Sequence, residues 1–150
     1  MYRMIAAVLS LYLCLTCRAF EIDDCGSKVG KFTSIKLDCD MAKSECELIQ
    51  NTNVTITIDF TVDKDVSKVT AIVHGIIMDV PIPFPLPNAD ACADSTSGLT
   101  CPLAKGGPYK YKNMLAVHKS YPKLSVTVKW ELRDEDNETI ICLLIPAKIK

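Results

Sequence analysis

Residues 72–87 read Ile-Val-His-Gly-Ile-Ile-Met-Asp-Val-Pro-Ile-Pro-Phe-Pro-Leu-Pro, with four prolines at 81, 83, 85 and 87 alternating strictly with Ile82, Phe84 and Leu86. In an extended chain successive backbone N–H groups point to opposite edges, so all four missing donors fall on one edge. The other edge keeps the N–H groups of Ile82, Phe84 and Leu86 and can still pair. Such a segment is an edge strand or a polyproline-like ribbon, never a central strand. It sets three apolar side chains beside a sheet edge that no further strand can join. An opening of this kind in a β-sandwich, lined by Ile, Phe and Leu, is what an apolar ligand needs.

Outside the ribbon a period of two dominates, and no long stretch keeps a helical period. Strands are expected at 29–37, 53–62, 66–78, 109–117, 124–132 and 139–149. The clearest is Asn53–Val62, where Val54, Ile56, Ile58, Phe60 and Val62 face one way and polar residues the other. In 124–132, Leu124, Val126, Val128, Trp130 and Leu132 face in, while Ser125, Thr127, Lys129 and Glu131 face out. Both faces of 139–149 are apolar, Ile141, Leu143 and Ile145 against Ile140 and Leu144, so the period does not name the inner one. Turn signals at 63–65 and 134–138 and a loop at 88–108 rich in Ser, Gly and Asp separate these runs. The pattern specifies one all-β domain, an antiparallel sandwich of six or seven strands.

Residues 1–19 read as a signal peptide: Arg3, the apolar run Met4–Leu15, and small residues at −3 and −1 in Cys17-Arg18-Ala19. The run is too short to span a bilayer, and no later apolar stretch approaches the roughly 20 residues that would. The domain then occupies residues 20–150, large enough for a real core, and is expected to be secreted. The leader removes two of the 17 basic residues and none of the 18 acidic ones, leaving a formal charge of −3. That mildly acidic balance, with its basic residues scattered, gives no reason to expect nucleic-acid binding.

Six of the eight cysteines remain once Cys14 and Cys17 leave with the leader. In a secreted chain six imply three disulfides. Local spacing favours Cys39–Cys46 and Cys92–Cys101 as loop clasps, which leaves Cys25 to pair with Cys142 and tie the ends of the domain together. No cysteine pair has zinc-knuckle spacing, so no metal is expected.

The chain offers little for catalysis. Its imidazoles are His74 and His118, and no nucleophile elbow, H-E-x-x-H pair or phosphate-cradling glycine loop occurs. His74 reads as a packed or hydrogen-bonded residue and His118 as a surface one. Asp38 with Asp40, and Asp134 with Asp136, read as solvated turn carboxylates. The chain is read as neither an enzyme nor a cofactor binder. Sequons place N-linked glycans at Asn53 and Asn137, on a polar strand face and in a hairpin turn. Phe84, Tyr121 and the lone Trp130 supply the aromatic surface of an apolar cavity beside the ribbon.

The same residues carry a resemblance. His74-Gly75-Ile76-Ile77-Met78, followed by Val80-Pro81-Ile82-Pro83-Phe84-Pro85-Leu86-Pro87, closely resembles the Niemann–Pick type C2 family of the ML (lipid-recognition) domain superfamily. The match continues through Asp24-Cys25-Gly26-Ser27, Cys101-Pro102, Tyr109-x-Tyr111, Ser120-Tyr121-Pro122, Trp130-x-Leu132-x-Asp134 and Cys142. The resemblance implies an immunoglobulin-like sandwich of seven strands holding one sterol or fatty-acid-like lipid between its sheets. It implies the same three disulfides. It places the lipid contacts at Ile82 and Phe84 on the ribbon, at Val117, Tyr121 and Pro122 by the portal, and at Trp130 deeper in. A monomer in the secreted or lysosomal compartment follows, handing its lipid to a membrane or membrane-protein acceptor. An extracellular carrier of hydrophobic semiochemicals and an innate-immunity lipid-recognition module, with Ile140 or Leu144 as a partner-facing patch, are the alternatives. Asp79 departs from the family pattern, standing where sterol-carrying members have glycine, and is expected to bring a charge to the portal.

Overall fold

Nine strands make up the described part of the chain, residues 20–150 of a computed structural model. The signal-peptide reading of residues 1–19 lies outside the described residues. The strands are β1 (Asp23–Asp24), β2 (Gly30–Leu37), β3 (Cys46–Leu48), β4 (Thr52–Val62), β5 (Thr70–Ile77), β6 (Val80–Phe84), β7 (Gly106–Val117), β8 (Ser125–Arg133) and β9 (Thr139–Ile149). One sheet runs β1-β9-β8-β5-β6 with β3 added against β9, and the second runs β2-β4-β7. The fold is the expected immunoglobulin-like sandwich, and no helix occurs among the described residues. The count exceeds seven because β1 and β3 are too short to show alternation. Among the described residues the β3–β9 pair is parallel and the other strand pairs are antiparallel.

Alternation sets the faces. Ile56, Ile58 and Phe60 of β4 and Val128, Trp130 and Leu132 of β8 are buried between the sheets. Register resolves the ambiguous last strand: Leu132, Trp130 and Val128 lie opposite Ile141, Leu143 and Ile145, so that row is the inner one. The other face is also covered, because Gly30 brings its backbone against Ile140, where an added Cβ would lie 3.0 Å from Ile140 Cγ2. Ile140 is fully buried, so it supplies no partner-facing patch, and Leu144 is only partly exposed.

β6 ends its sheet and pairs with β5 alone, Ile82 opposite Gly75 and Phe84 opposite Val73. The prolines require this one-sided pairing. Beyond Phe84 the ribbon leaves the strand, and β7 is the matching end of the second sheet. Asn113 Nδ2 on β7 donates to Asn88 O just past the ribbon at 3.2 Å, so two strand edges stand side by side there. All three expected disulfides form: Cys25–Cys142, Cys39–Cys46 and Cys92–Cys101, with Cα–Cα distances of 5.0, 5.6 and 5.5 Å.

Candidate lipid-binding site

Between the sheets lies a cavity lined by Leu37, Val54, Ile56, Leu115, Val128, Trp130 and Ile145 among others, with no charged side chain on its wall. These are the inward positions of β2, β4, β7, β8 and β9, where alternation places apolar side chains. Its volume is about 20 Å³. That is room for a single water-sized sphere, whereas small-molecule sites span about 300–1,000 Å³. The sandwich is therefore in a closed state. Of the six residues expected to touch lipid, Trp130 alone lines this cavity.

Phe84 and Tyr121 meet at the edge of the sandwich, ring centroids 5.0 Å apart and nearly perpendicular. Tyr121 also meets His118 edge-on at 5.1 Å. His118 is thus an exposed member of an aromatic cluster rather than an isolated surface residue. Phe84 owes its seat to Gly75, since a Cβ there would lie 2.5 Å from Phe84 Cε2. The loop carrying Tyr121 is tied down by Gln50 Nε2, which donates to Tyr121 O at 2.7 Å. Val117 is buried on the inner face of β7, while Ile82 and Pro122 are exposed. The structure brings Phe84 and Tyr121 into contact and leaves Ile82 and Pro122 on the surface.

A larger space opens where the ribbon end runs along β7. This groove, about 480 Å³, is lined by Pro85–Asn88 on one side and by Asn113, Met114, Ala116 and His118 on the other, with Asn53 at its rim. Asn53, a sequon residue, therefore borders a groove rather than a plain outward face. Asn113 is buried, and its Nδ2 reaches Tyr111 Oη at 2.8 Å as well as Asn88 O. Burial pushes the Tyr111 hydroxyl up to about 12.

The ML domain family matches residues 19–149, nearly the whole chain. The "NPC intracellular cholesterol transporter 2 homolog a" of Drosophila melanogaster is 48% identical over 133 residues, covering 88% of each chain. The chain belongs to the Niemann–Pick type C2 family of ML-domain proteins. The "Ecdysteroid-regulated 16 kDa protein" of Manduca sexta is 46% identical over 138 residues, 91% of this chain and 93% of that one. The crystal structure of a Niemann–Pick type C2 protein from the Japanese carpenter ant superposes with a TM-score of 0.83 at 42% identity, covering 87% of this chain and all of that one.

Within this Niemann–Pick type C2 sandwich, Asp79 sits in the β5–β6 turn at φ 64°, beside Met78 at φ 50°. The left-handed region explains glycine at this position, and Asp is among the few other residues that tolerate it. Asp79 borders a shallow surface groove with Met78 and Thr127 and does not line the cavity. Around it the hairpin tip is apolar: Met78 is 93% exposed, Val80 57% and Ile82 43%.

The remaining polar candidates have structural roles. His74 lies half-buried on the outer face of β5, opposite Pro83 and Lys129, and its Nδ1 has no hydrogen-bond partner. Asp38 accepts the Thr55 N–H at 2.8 Å and Asp40 the Ala42 N–H at 3.0 Å. Asp136 is exposed, but Asp134 is not the solvated turn residue expected, being 4% exposed. Its Oδ1 accepts the N–H groups of Asp136 and Glu138, and its Oδ2 lies 2.9 Å from Lys64 Nζ. Burial pushes its pKa up, but Lys64 and the two backbone donors outweigh it and hold Asp134 below the usual carboxylate range. Glu131, expected to face water, is buried between Lys129 and Arg133. Asn137 caps the hairpin turn at φ 60°, exposed, its Oδ1 accepting from Arg133. No group of three or more His, Cys, Asp or Glu is placed to hold a metal among the described residues.

The groove and Asn113 escaped sequence reasoning, which read Tyr111 only as part of the Tyr109-x-Tyr111 motif. The row Tyr111-x-Asn113-x-Leu115-x-Val117 did contain a signal, a lone amide at an inward position of an otherwise apolar face.

Proposed function

We propose that this protein binds one sterol or fatty-acid-like lipid between its two sheets and transfers it to an acceptor, without catalysing a reaction. One observation carries the reading: an uncharged apolar cavity lies between sheets whose adjoining edges, β6 and β7, pair with no further strand. Relatives named as cholesterol transporters point to the same cargo class. The closed cavity is a fraction of a lipid's volume, so the sheets separate as the ligand enters, with Phe84 and Tyr121 at the mouth, Val117 behind them and Ile82 and Pro122 on the rim. At about −0.3 kcal/mol per heavy atom, a sterol of roughly 28 heavy atoms gains about −8 kcal/mol, near micromolar. That is strong enough to carry a lipid and weak enough to release it.

Three disulfides place the protein in an oxidising compartment, a secreted or lysosomal lumen. The exposed apolar tip at Met78, Val80 and Ile82 is where a membrane or membrane protein would receive the cargo, with the protein acting as a monomer. An extracellular carrier of hydrophobic semiochemicals uses the same pocket, and cargo identity separates the two roles. Of the two residues that would give the immune-module alternative a partner-facing patch, Ile140 is buried and Leu144 is only partly exposed. Native mass spectrometry of protein purified from its source, with extraction of its ligand, is the direct test. One lipid per chain is expected; a ligand-free protein that also fails to take up sterol or fatty acid in titration refutes the reading.

A further inference from the structure

The outer face of the β2-β4-β7 sheet is polar until the end of β7. The outward residues of β7 run Lys110, Lys112, Met114 and Ala116, against Asp59, Thr57, Thr55 and Asn53 of β4. Lys110 pairs with Asp59 at 3.0 Å, and Lys112 lies across from Thr57. Met114 and Ala116 break this polar row. They stand opposite Thr55 and Asn53, the threonine and asparagine of the sequon Asn53-Val54-Thr55. Directly opposed residues on one face of an antiparallel pair hold their Cβ atoms about 4.5–5.5 Å apart, so a group attached to Asn53 starts beside this apolar spot. Met114 is 53% exposed, and its side chain has nothing of the described chain laid over it.

The groove at this spot has the room and the chemistry for a sugar. Asn53 itself lines it, with Pro87, Asn88, Thr96, Met114 and Ala116. Its volume of about 480 Å³ falls within the range of about 300–1,000 Å³ typical of small-molecule sites. A pyranose ring packs its C–H face on apolar carbon and offers hydroxyl and acetamide groups to polar neighbours, which is the mixture on this wall. One side of the groove is a strand edge. The Lys112 N–H leaves β7 for Ser97 O at 2.8 Å, and the Met114 N–H is taken by the Asn113 side chain at 2.7 Å. Backbone direction alternates along a strand, so the N–H and C=O of Ala116 point to the same edge, where β7 pairs with no further strand among the described residues.

We propose that the groove seats this chain's own glycan: the N-acetylglucosamine core linked to Asn53 folds back over Met114 and Ala116 and covers the free edge of β7. Attachment at the rim makes the encounter intramolecular, so a seat too weak to hold a free sugar is filled by a tethered one. An edge covered in this way cannot template pairing with another chain. The proposal rests on passage through the secretory pathway and not on the identity of the cargo.

Methionine oxidation reads the seat, and Met78 in the β5–β6 turn, 93% exposed, is the reference within the same molecule. The protein is secreted from cultured eukaryotic cells, and peptide mapping establishes whether Asn53 carries its glycan. A pulse of hydrogen peroxide is then read as sulfoxide at Met114 against Met78. Met114 in the glycoprotein should oxidise about fivefold more slowly than after enzymatic removal of the glycan, or than in Asn53→Gln, because oxidation follows exposure. Asn137→Gln, which removes the other sequon, should leave that protection in place. Met114→Lys puts a charge into the apolar part of the seat, and the glycosidase should then release the Asn53 glycan about fivefold faster, as loss of about 1 kcal/mol allows. A secreted protein with Asn53 bare, a Met114 that oxidises alike with and without the glycan, or unchanged release in Met114→Lys overturns the seat. So does a Met114 still protected in Asn53→Gln, which would give the groove to a lipid or a second copy of the chain. Sterol titrations of the same samples report lipid binding separately, so these failures are distinguishable from a failure of the carrier reading.

Discussion

Gly75 and Phe84 share a seat that one methyl group would fill. A Cβ on Gly75 would lie 2.5 Å from Phe84 Cε2 and 3.2 Å from Val126 Cγ2. Carbon–carbon contact is most favourable at about 3.5–4.0 Å, so Gly75→Ala forces a displacement of about 1 Å. Val126 is buried and cannot yield, whereas Phe84 stands half-exposed on an edge strand. The ring therefore moves, and its 5.0 Å edge contact with Tyr121 is lost. Overpacking of this kind costs about 1–3 kcal/mol, of which the ring pair accounts for about 0.5–1.5. A domain of ordinary stability, about 5–15 kcal/mol, survives that. If the ring pair latches the mouth, losing about 1 kcal/mol of closure speeds lipid release about fivefold. Stopped-flow transfer of a fluorescent sterol to vesicles measures this, with thermal melts alongside. Phe84→Leu in the Gly75→Ala background removes the clashing atom, so the pair should be less destabilised than the sum of the single variants. Unchanged release in Gly75→Ala, or strict additivity in the double variant, would refute the seat.

Phe84→Ala and Trp130→Ala should weaken lipid binding in titrations while circular dichroism shows the fold intact; wild-type affinity in both removes these residues from the site. Replacing Cys25 and Cys142 together by serine opens a closure spanning 117 positions and should cost about 4–5 kcal/mol in denaturant unfolding. Asp134→Asn should cost about 1–3 kcal/mol at neutral pH through lost charge-assisted bonds. Because the folded state lowers the pKa of Asp134, its contribution is present above the ordinary value of 3.8 and fades as pH falls through the lower folded value. The variant and the wild type should therefore converge in stability on the acid side of pH 4. Met78→Asp at the hairpin tip should slow sterol delivery to vesicles without changing equilibrium affinity, as separate transfer and binding assays would show.

The strands most legible in the sequence are those with one wet face. β4 and β8 alternate cleanly because apolar and polar residues must go to opposite sides of a half-buried sheet, and the structure places each inward row in the core. The proline ribbon was legible as an edge for a stricter reason, since a missing N–H cannot pair. What stayed hidden depends on contacts between distant segments. β3 is three residues long and pairs with β9 across a separation that no local pattern reveals. Ile140 has no face assigned by its period until register places it and Gly30 is seen packed against it. Asp134 reads as a turn carboxylate until Lys64, from a turn far away in sequence, lands on its Oδ2.

The site was half legible for the same reason. Its apolar lining follows from alternation, but its opening follows from which strand edges adjoin, and those edges are chemically unequal. On the β2–β9 side, backbone N–H groups of Lys28 and Val29 both donate to Thr139 O, and Gly30 lies against Ile140. These contacts join the two sheets through main chain, which has little freedom to yield. On the β6–β7 side the prolines have removed the donors that could have continued one sheet into the other. Between the ribbon and β7 the contacts are made by side chains, the Asn113 amide on Asn88 O and the ring of Phe84 against Tyr121. The main-chain bond on the β7 edge, Lys112 N–H to Ser97 O at 2.8 Å, goes to the loop beyond the ribbon. Side-chain contacts can break and re-form without unfolding a strand. A cavity of about 20 Å³ must grow many-fold to hold a lipid, and the side that can give is the one the prolines have left unpaired. The ribbon therefore does more than blunt an edge: it sets the direction in which the sandwich opens.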